Sequence, residues 1–242
     1  VEVVTPQGRI AYGPVQPEDV SSLFDADFVH GGAHPLALGL TDQIAWFAGQ
    51  DRVTYKRVGL IDPLSLKDYE SHGGLVGLRK AITQSGSDIV AEVTSSGLRG
   101  RGGAGFPAGI KWKTVLDAQA DQKYVCCNAD EGDSGTFADR ILIEADPFTL
   151  IEGMAIAAVA VGATQGFVYL RSEYPTAITR LRAAIAIAEG AGVLGSSVLG
   201  SKHAFTLEVR VGAGSYVCGE ETAMLESLEG KRGVIRSKPP LP

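Results

Sequence analysis

The sequence predicts an α/β protein with a mostly parallel sheet covered by helices. Short apolar runs at residues 123–127, 167–170 and 205–211 have the length of buried strands, and longer helical patterns separate them. Connections of this length are what parallel strands require, because each connection must cross from one end of the sheet to the other. The chain has 242 residues, 45% of them hydrophobic, which is enough for one sizeable domain and an appendage.

Residues 1–64 contain short apolar pieces and turn signals but no long helical period. We therefore expect an extended appendage, or the tail of an upstream domain, before a compact domain that begins near Ser65. The first helix of that domain is predicted over 75–85, where Leu75, Leu78 and Ile82 recur at helical spacing. A second is predicted over 87–93, with Ser87 or Asp88 as its N-cap.

The remaining elements alternate between helix and strand. A helix over 111–120 precedes the first strand, and a polar loop follows at residues 128–139. Pro147 stands where a first-turn proline belongs and opens an apolar helix to about Val161. Two more helices are predicted over 175–189 and 220–229, each closed by the glycine that follows it.

A glycine-rich segment, GLRGRGGAGFPAGIKW at residues 97–112, predicts a nucleotide-binding loop. Six of its sixteen residues are glycine, and Arg99, Arg101 and Lys111 add positive charge. Glycines let backbone N–H groups converge on a phosphate, whereas a flexible surface linker seldom carries this much cationic charge. Residues 100–105 fit G-x-G-x-x-G, but the predicted order is helix, loop, helix, and an ordinary Rossmann fingerprint would leave a strand.

Two acidic segments follow predicted strands, where ligands of open α/β sheets bind. The first, NADEGDSG at 128–135, has three carboxylates in four residues. This segment has three interpretations. It could be a Ca²⁺ or Mg²⁺ site, although it lacks EF-hand spacing, or a solvated acidic turn. We favour the third, in which its side chains accept hydrogen bonds from ribityl or ribose hydroxyls. The second, GAGSYVCGEET at 212–222, places Glu220 and Glu221 in the first turn of a helix. One glutamate would satisfy the helix dipole, and the pair indicates a ligand role.

Composition excludes several classes of function. The net charge of −6 argues against nucleic acid as a partner, and the apolar stretch at 154–163 is too short for direct membrane insertion. The three cysteines, Cys126, Cys127 and Cys218, are too few for a disulfide framework and suit a reducing cytoplasm. We expect no protein-bound metal in this chain.

Three segments in this order resemble one family: GLRGRGGAGFPAGIKW, CNADEGDSGTFADR and GAGSYVCGEETAMLESLEG. They are similar to the NADH-binding flavoprotein subunit of respiratory complex I, which also occurs as the diaphorase subunit of NAD-reducing hydrogenases and the beta subunit of soluble molybdenum formate dehydrogenases. The resemblance covers residues 65–242 and implies a Rossmann-like domain that binds FMN and NAD. Residues 1–64 would then be a connector and the tail of an upstream thioredoxin-like domain.

The resemblance also implies roles for individual residues. Those on the phosphate side of FMN would be Gly100, Arg101, Gly102, Gly103 and Lys111. Those near the ribityl chain and flavin edge would be Asn128, Asp130, Glu131, Gly219 and Glu220. Those facing NAD would be Phe106, Glu131, Asp133, Tyr216, Glu221 and Lys238. Glu131 and Glu221 would act in catalysis, at the meeting point of nicotinamide and flavin.

Within the family, the sequence is most similar to the formate dehydrogenase branch at two places. These are Asp133 and Ser134, and the segment GATQGFVYLRSEYP. That branch implies a small iron–sulfur gamma-type subunit and a large molybdenum and iron–sulfur subunit as partners. Thr114 and Leu241 replace phenylalanines that help to hold the NADH adenine. The family's 4Fe–4S cluster has its cysteine ligands in a C-terminal domain that this sequence lacks. Hydrogenase or complex I membership, or a nucleotide-binding module without turnover, are the alternatives.

Overall fold

The computed structural model describes residues 1–133 and 135–239. The chain divides into two compact units, Val1–Thr54 and Tyr55–Pro242. This boundary lies before the one predicted at 64/65. Ser134 and Leu241, which the sequence analysis singled out, lie outside the described residues.

The first unit contains a three-stranded antiparallel sheet, which the sequence did not predict. Its strands are β1 (Glu2–Thr5), β2 (Gly8–Tyr12) and β3 (Ala37–Leu40), in that spatial order. Two short helices, α1 (Val20–Asp25) and α2 (Ala45–Ala48), belong to the same unit. Tyr12 is buried, and its ring meets Phe28 edge to face at 5.8 Å.

The second unit is built on a three-stranded parallel sheet of β4 (Tyr124–Ala129), β5 (Gln165–Leu170) and β6 (Thr206–Val211). This confirms the predicted α/β class. The predicted strands lie within one to two residues of these bounds at most ends, because continuous apolar runs identify buried strands well. The helices of this unit are α3 (Leu66–Ser71), α4 (Val76–Ala81), α5 (Gly86–Ser95), α6 (Ala108–Asp117), α7 (Ala138–Ala145), α8 (Pro147–Val161), α9 (Pro175–Gly190) and α10 (Glu221–Leu228).

Each face of the sheet has its own core. Val168 and Leu170 of β5 point into the main core with α8 and α9, whereas Tyr169 between them joins a smaller cluster with Cys218 and Met224. Successive residues of a strand point to opposite faces, so the end of β5, where both faces are buried, must be apolar on each of them. Helix α8 has eleven of its fifteen residues buried, as expected of an apolar helix without a polar face.

Several helices differ from the sequence prediction, among them α6, which lies at Ala108–Asp117 and not at 111–120. Ser85, not Ser87 or Asp88, caps α5, because its Oγ accepts the N–H of Asp88 at 3.2 Å. The helix predicted over 75–85 is only the six-residue α4. Helix α7 was missed because its first residues were assigned to the polar loop at 128–139.

A buried carboxylate holds the start of the second unit to α8. Glu152 accepts hydrogen bonds from the Tyr69 hydroxyl at 2.5 Å and from the backbone N–H groups of Leu75 at 2.8 Å and Leu78 at 3.0 Å. Leu75 has a positive φ of 61°, which this anchor helps to maintain. One side chain thus satisfies three donors that would otherwise be buried without partners.

We therefore predict that Glu152→Gln lowers the free energy of unfolding by about 1–3 kcal/mol, because an amide NH₂ group would replace an acceptor oxygen. Urea denaturation followed by circular dichroism measures the change. Glu189→Gln is the control, since Glu189 is an exposed residue of α9. Equal stability of the two variants would contradict this assignment.

Candidate functional site

The glycine-rich loop is a closed loop between α5 and α6. Its two ends pair through Gly100 N–H to the Phe106 carbonyl at 2.8 Å and Ala108 N–H to the Leu98 carbonyl at 2.9 Å. Arg99 donates to the Gly105 carbonyl at 2.9 Å and so supports the loop from within. The helix–loop–helix order agrees with the prediction and differs from the strand–loop–helix of a Rossmann fingerprint.

Two glycines of this loop have different requirements. Gly103 has a φ of +103°, which side-chain-bearing residues rarely adopt. Gly102 has no such φ, and a Cβ built on it would meet no atom of the protein within 4 Å. The protein itself therefore does not demand glycine at 102, whereas a ligand lying against the backbone would.

The loop forms one wall of a cavity of about 500 Å³. This volume is in the range of small-molecule sites. The opposite walls come from the end of β4, the start of α10 and the segment after α10. The lining residues are Gly100, Gly102, Ala104, Gly105, Phe106, Lys111, Asn128, Gly219, Glu220, Glu221 and Lys238.

A second cavity, of about 470 Å³, adjoins the first and shares Gly219 and Glu220 with it. Its lining residues are Asp130, Gly132, Asp133, Tyr216, Val217, Gly219, Glu220 and Ile235. The three segments singled out from the sequence therefore meet at two adjoining cavities. The parallel sheet brings two of these segments together, since the ends of β4 and β6 lie at the same edge, and the glycine-rich loop reaches that edge from between α5 and α6.

Asn128 joins two of these segments directly. Its side-chain N–H donates to the Gly219 carbonyl at 2.8 Å, and its Oδ1 accepts the N–H of Asp130 at 3.2 Å. A Cβ at Gly219 would lie 3.1 Å from the Asp130 carbonyl oxygen. Glycine is needed at 219 because the two backbones approach so closely.

Lysines and glutamates pair across the first cavity. Lys238 Nζ lies 2.8 Å from Glu220 Oε1 and 2.5 Å from Glu221 Oε1, and Lys111 Nζ lies 3.6 Å from Glu221 Oε2. Glu220 also caps α10, accepting the N–H groups of Thr222 and Ala223 at 2.9 and 3.0 Å. Two cations thus face two anions in this cavity.

The same contacts lower the pKa of Glu220 to about 2, with the Lys238 hydrogen bond as the largest cause and Thr222 next. The pairing also raises the pKa of Lys238. Both groups therefore keep their charges across the neutral range.

Asp130 faces the second cavity with an unsatisfied oxygen. Its Oδ2 is buried and has no hydrogen-bond partner among the described residues. Burial raises the pKa of this carboxyl, and the Arg171 guanidinium opposes that rise. A buried acceptor without a donor fits the hydroxyl of a polyol ligand. Phe106 and Tyr216, 43% and 80% exposed, offer ring faces to a flat ligand at the cavity edges.

Three predicted site residues line neither cavity. Arg101 and Gly103 lie in the glycine loop but away from the cavity wall. Glu131, predicted as catalytic, turns its carboxylate to the start of α7, where it accepts the N–H groups of Ala138 and Asp139 at 2.7 and 3.1 Å. Glu221, the other predicted catalytic residue, does line the first cavity.

The cavities include residues that the sequence analysis did not select. Ala104 and Gly105 could have been found, since they complete the G-x-G-x-x-G string. Gly132 could not, because its requirement is tertiary: a Cβ there would lie 2.8 Å from the Tyr216 ring. Val217 and Ile235 carry no chemical signal of their own.

No cluster of three or more His, Cys, Asp or Glu among the described residues is arranged to hold a metal ion. The acidic segment after β4 is thus not such a cluster. No helix in the described part of the chain has the length and apolar character that crossing a membrane requires.

A glycine-rich loop, paired charges and an unsatisfied carboxylate at the edge of a parallel sheet define a nucleotide-binding α/β domain. Residues 93–242 match the family model described as the Nuo51 FMN-binding domain. The chain belongs to this family, and the predicted resemblance is confirmed. The match begins within α5 and includes every residue that lines the two cavities.

Curated relatives carry the same module. The chain is 52% identical over 193 residues to the NADP-reducing hydrogenase subunit HndC of Solidesulfovibrio fructosivorans, covering 80% of this chain and 39% of the relative. It is 53% identical over 191 residues to an NADH-quinone oxidoreductase protein of Rhizobium meliloti (strain 1021), covering 78% and 45%. The chain thus spans less than half the length of these relatives.

Solved structures agree with the fold. The crystal structure of an NAD⁺-reducing [NiFe]-hydrogenase in the air-oxidised state matches 98% of this chain and 37% of the solved chain, with a TM-score of 0.61 and 33% identity. The H₂-reduced state gives a TM-score of 0.63 and 34% identity over 96% of this chain and 37% of the solved one. The predicted α/β flavoprotein fold is confirmed.

We predict that Gly102→Ala raises the FMN dissociation constant roughly tenfold, about 1.4 kcal/mol of lost binding energy, because only the ligand opposes a methyl group there. Flavin fluorescence titration of the purified protein measures the constant. Gly153→Ala on the exposed side of α8 is the control, since a Cβ there also meets no atom within 4 Å. Unchanged FMN affinity of Gly102→Ala would remove the loop from the flavin site.

A second prediction concerns the paired charges. An NMR titration of the Glu220 carboxyl should give a midpoint of about 2, so that the ion pair with Lys238 exists above that pH and is lost below it. Lys238→Met should raise the midpoint, because the cation that stabilises the carboxylate is removed. Lys202→Met is the control, since Lys202 lines neither cavity. The same Glu220 midpoint in the wild type and in Lys238→Met would contradict the ion pair.

Proposed function

We propose that this chain is the FMN-binding module of a flavoprotein that exchanges a hydride with NAD(H) and passes electrons to iron–sulfur clusters. The observation that carries the proposal is the pair of adjoining cavities. One has a glycine-rich loop with Lys111, and the other has the unsatisfied Asp130. Two nucleotides that react with each other need adjoining sites. The two cavities adjoin because Gly219 and Glu220 line both of them.

The residues of the first cavity would hold the flavin. Backbone N–H groups at Gly100 and Gly102 would meet its phosphate, with Lys111 nearby and Arg101 and Gly103 shaping the rest of the loop. Asn128 would accept from the ribityl hydroxyls, and so would Asp130 of the second cavity, because its Oδ2 lies beside Gly219, which borders both cavities. When bound, FMN supplies the hydride acceptor and the conversion from two-electron to one-electron transfer.

The residues of the second cavity would receive NAD(H). Tyr216, together with Phe106 from the adjoining first cavity, would stack on its flat rings, and Asp133 would accept from its carboxamide. Glu221 and Lys238 line the first cavity next to Glu220, which borders both cavities, and there they would orient the nicotinamide against the flavin and exclude water. Asp133 already accepts the N–H of Gly135 at 3.1 Å, which fixes its side chain in place.

The formate dehydrogenase branch is the finer part of the proposal. It is supported by Asp133 and by the segment GATQGFVYLRSEYP, and it would bring a gamma-type iron–sulfur subunit and a large molybdenum subunit as partners in the cytoplasm. A hydrogenase is the second candidate, favoured by the relative that reduces NADP and by the solved NAD⁺-reducing hydrogenase. The first unit would be the tail of an upstream thioredoxin-like domain.

The proposal is tested on the purified native complex that contains this chain. Bound FMN, bleaching of its absorbance by NADH, and NADH-dependent reduction of ferricyanide are expected. Metal analysis then separates the branches, since molybdenum indicates formate dehydrogenase and nickel indicates hydrogenase. Bound flavin that NADH does not bleach would instead support a nucleotide-binding module without turnover.

We predict that Glu221→Gln lowers NADH–ferricyanide turnover about tenfold with FMN still bound, because it removes the carboxylate that pairs with both Lys238 and Lys111 in the first cavity. Steady-state kinetics with flavin content measured in parallel check this. Glu189→Gln serves as control. Equal turnover in the two variants would exclude Glu221 from the reaction.

A further inference from the structure

We propose that Tyr174 and Arg171 are positioning residues that set FMN affinity by holding the acidic loop through Glu131. The proposal rests on the function proposed above and concerns the loop after β4. Neither residue lines a cavity, and neither was selected from the sequence. Both follow β5, so their contacts with the loop after β4 run between neighbouring strands of the sheet.

Residues of the acidic loop face two sides. Asp130, Gly132 and Asp133 line the second cavity, whereas Glu131 turns its side chain away to α7. Consecutive Cα atoms are only about 3.8 Å apart, so fixing the backbone and side chain of one residue restricts the position of the next. The anchorage of Glu131 therefore determines where the carboxylate of Asp130 stands.

The carboxylate of Glu131 is fully engaged. Its Oε1 accepts the N–H groups of Ala138 and Asp139, and its Oε2 accepts the N–H of Arg140 at 3.3 Å and the Tyr174 hydroxyl at 3.0 Å. The first three donors are the open N–H groups of a helix start, and a carboxylate is favourable there. The Tyr174 hydroxyl is the one donor among these four that comes from outside α7.

Arg171 fastens the backbone of the same residue. Its Nη1 donates to the carbonyl of Glu131, and its own N–H donates to the Ala129 carbonyl at 3.4 Å. The side chain is only 12% exposed, and Nη2 pairs with Glu173 at 3.1 Å. The guanidinium also lies over the Tyr174 ring at 4.9 Å. Arg171 and Tyr174 thus hold Glu131 at both its backbone and its carboxylate.

Tyr174 is itself rigid. It is 7% exposed and directly precedes α9, whose first residue is Pro175. The guanidinium of Arg140 lies over its ring at 5.5 Å, in addition to that of Arg171. A hydroxyl on such a ring is a fixed donor, and its removal leaves the ring packing in place. Tyr174→Phe therefore isolates one hydrogen bond.

The test measures FMN affinity by fluorescence titration in the native complex stripped of flavin. We expect Tyr174→Phe to raise the FMN dissociation constant about fivefold, the loss of one hydrogen bond to a charged acceptor. Arg171→Met should raise it further, and Arg171→Lys should restore part of the loss because it keeps a donor. Tyr124→Phe, at an exposed ring of β4, is the matched control.

A double-mutant cycle decides whether Tyr174 acts through Glu131. Glu131→Gln replaces one of the two acceptor oxygens by an NH₂ group, and Tyr174→Phe removes one of their donors. Both substitutions act on the same set of contacts, so the double variant should bind FMN no more weakly than the worse single variant. Effects that multiply would overturn the proposal, as would a Tyr174→Phe affinity equal to that of Tyr124→Phe. Thermal unfolding of the stripped variants verifies folding. Failure of the wild-type chain to bind FMN would instead refute the proposed function.

Discussion

The parallel pairing of β4, β5 and β6 is the constraint on which the rest of the second unit depends. It places the loops after all three strands at one edge, so that the acidic loop, the Arg171–Tyr174 turn and the segment before α10 become neighbours. The glycine loop is not attached to a strand and reaches this edge through α5 and α6. Both cavities result from this arrangement. Neither the glycine loop nor the segments at the strand ends would form such a site alone.

The sequence predicted the strands and the larger helices well, because long apolar runs and first-turn prolines are local signals. Helix α8 agrees at both ends, since Pro147 starts it and Gly162, in the left-handed region, ends it. Helix α7 was hidden because its cap is not adjacent in sequence. The first N–H groups of α7 donate to Glu131, which lies seven residues before Ala138. A cap at that distance does not produce a local sequence pattern.

The same reason explains the site. Glycine spacing, charge and the family resemblance together selected residues such as Gly102, Lys111 and Glu221 that do line a cavity, because a ligand-facing loop must combine small residues with charge. The environment of Glu131 could not be deduced in this way. The residue type alone does not show whether a glutamate in an acidic loop faces a ligand or the start of a helix. Only the fold distinguishes the two.

The walls of the first cavity come from distant parts of the chain, from Gly100 to Lys238. A nucleotide that fits it can therefore bind only after the sheet has formed and the segment beyond α10 has returned to Glu220. Because such a ligand binds only the folded state, it shifts the unfolding equilibrium toward that state. The free ligand concentration then helps to determine the free energy of unfolding. The flavin would then be a structural component of the domain as much as a redox one, and its supply would govern how long the folded protein survives.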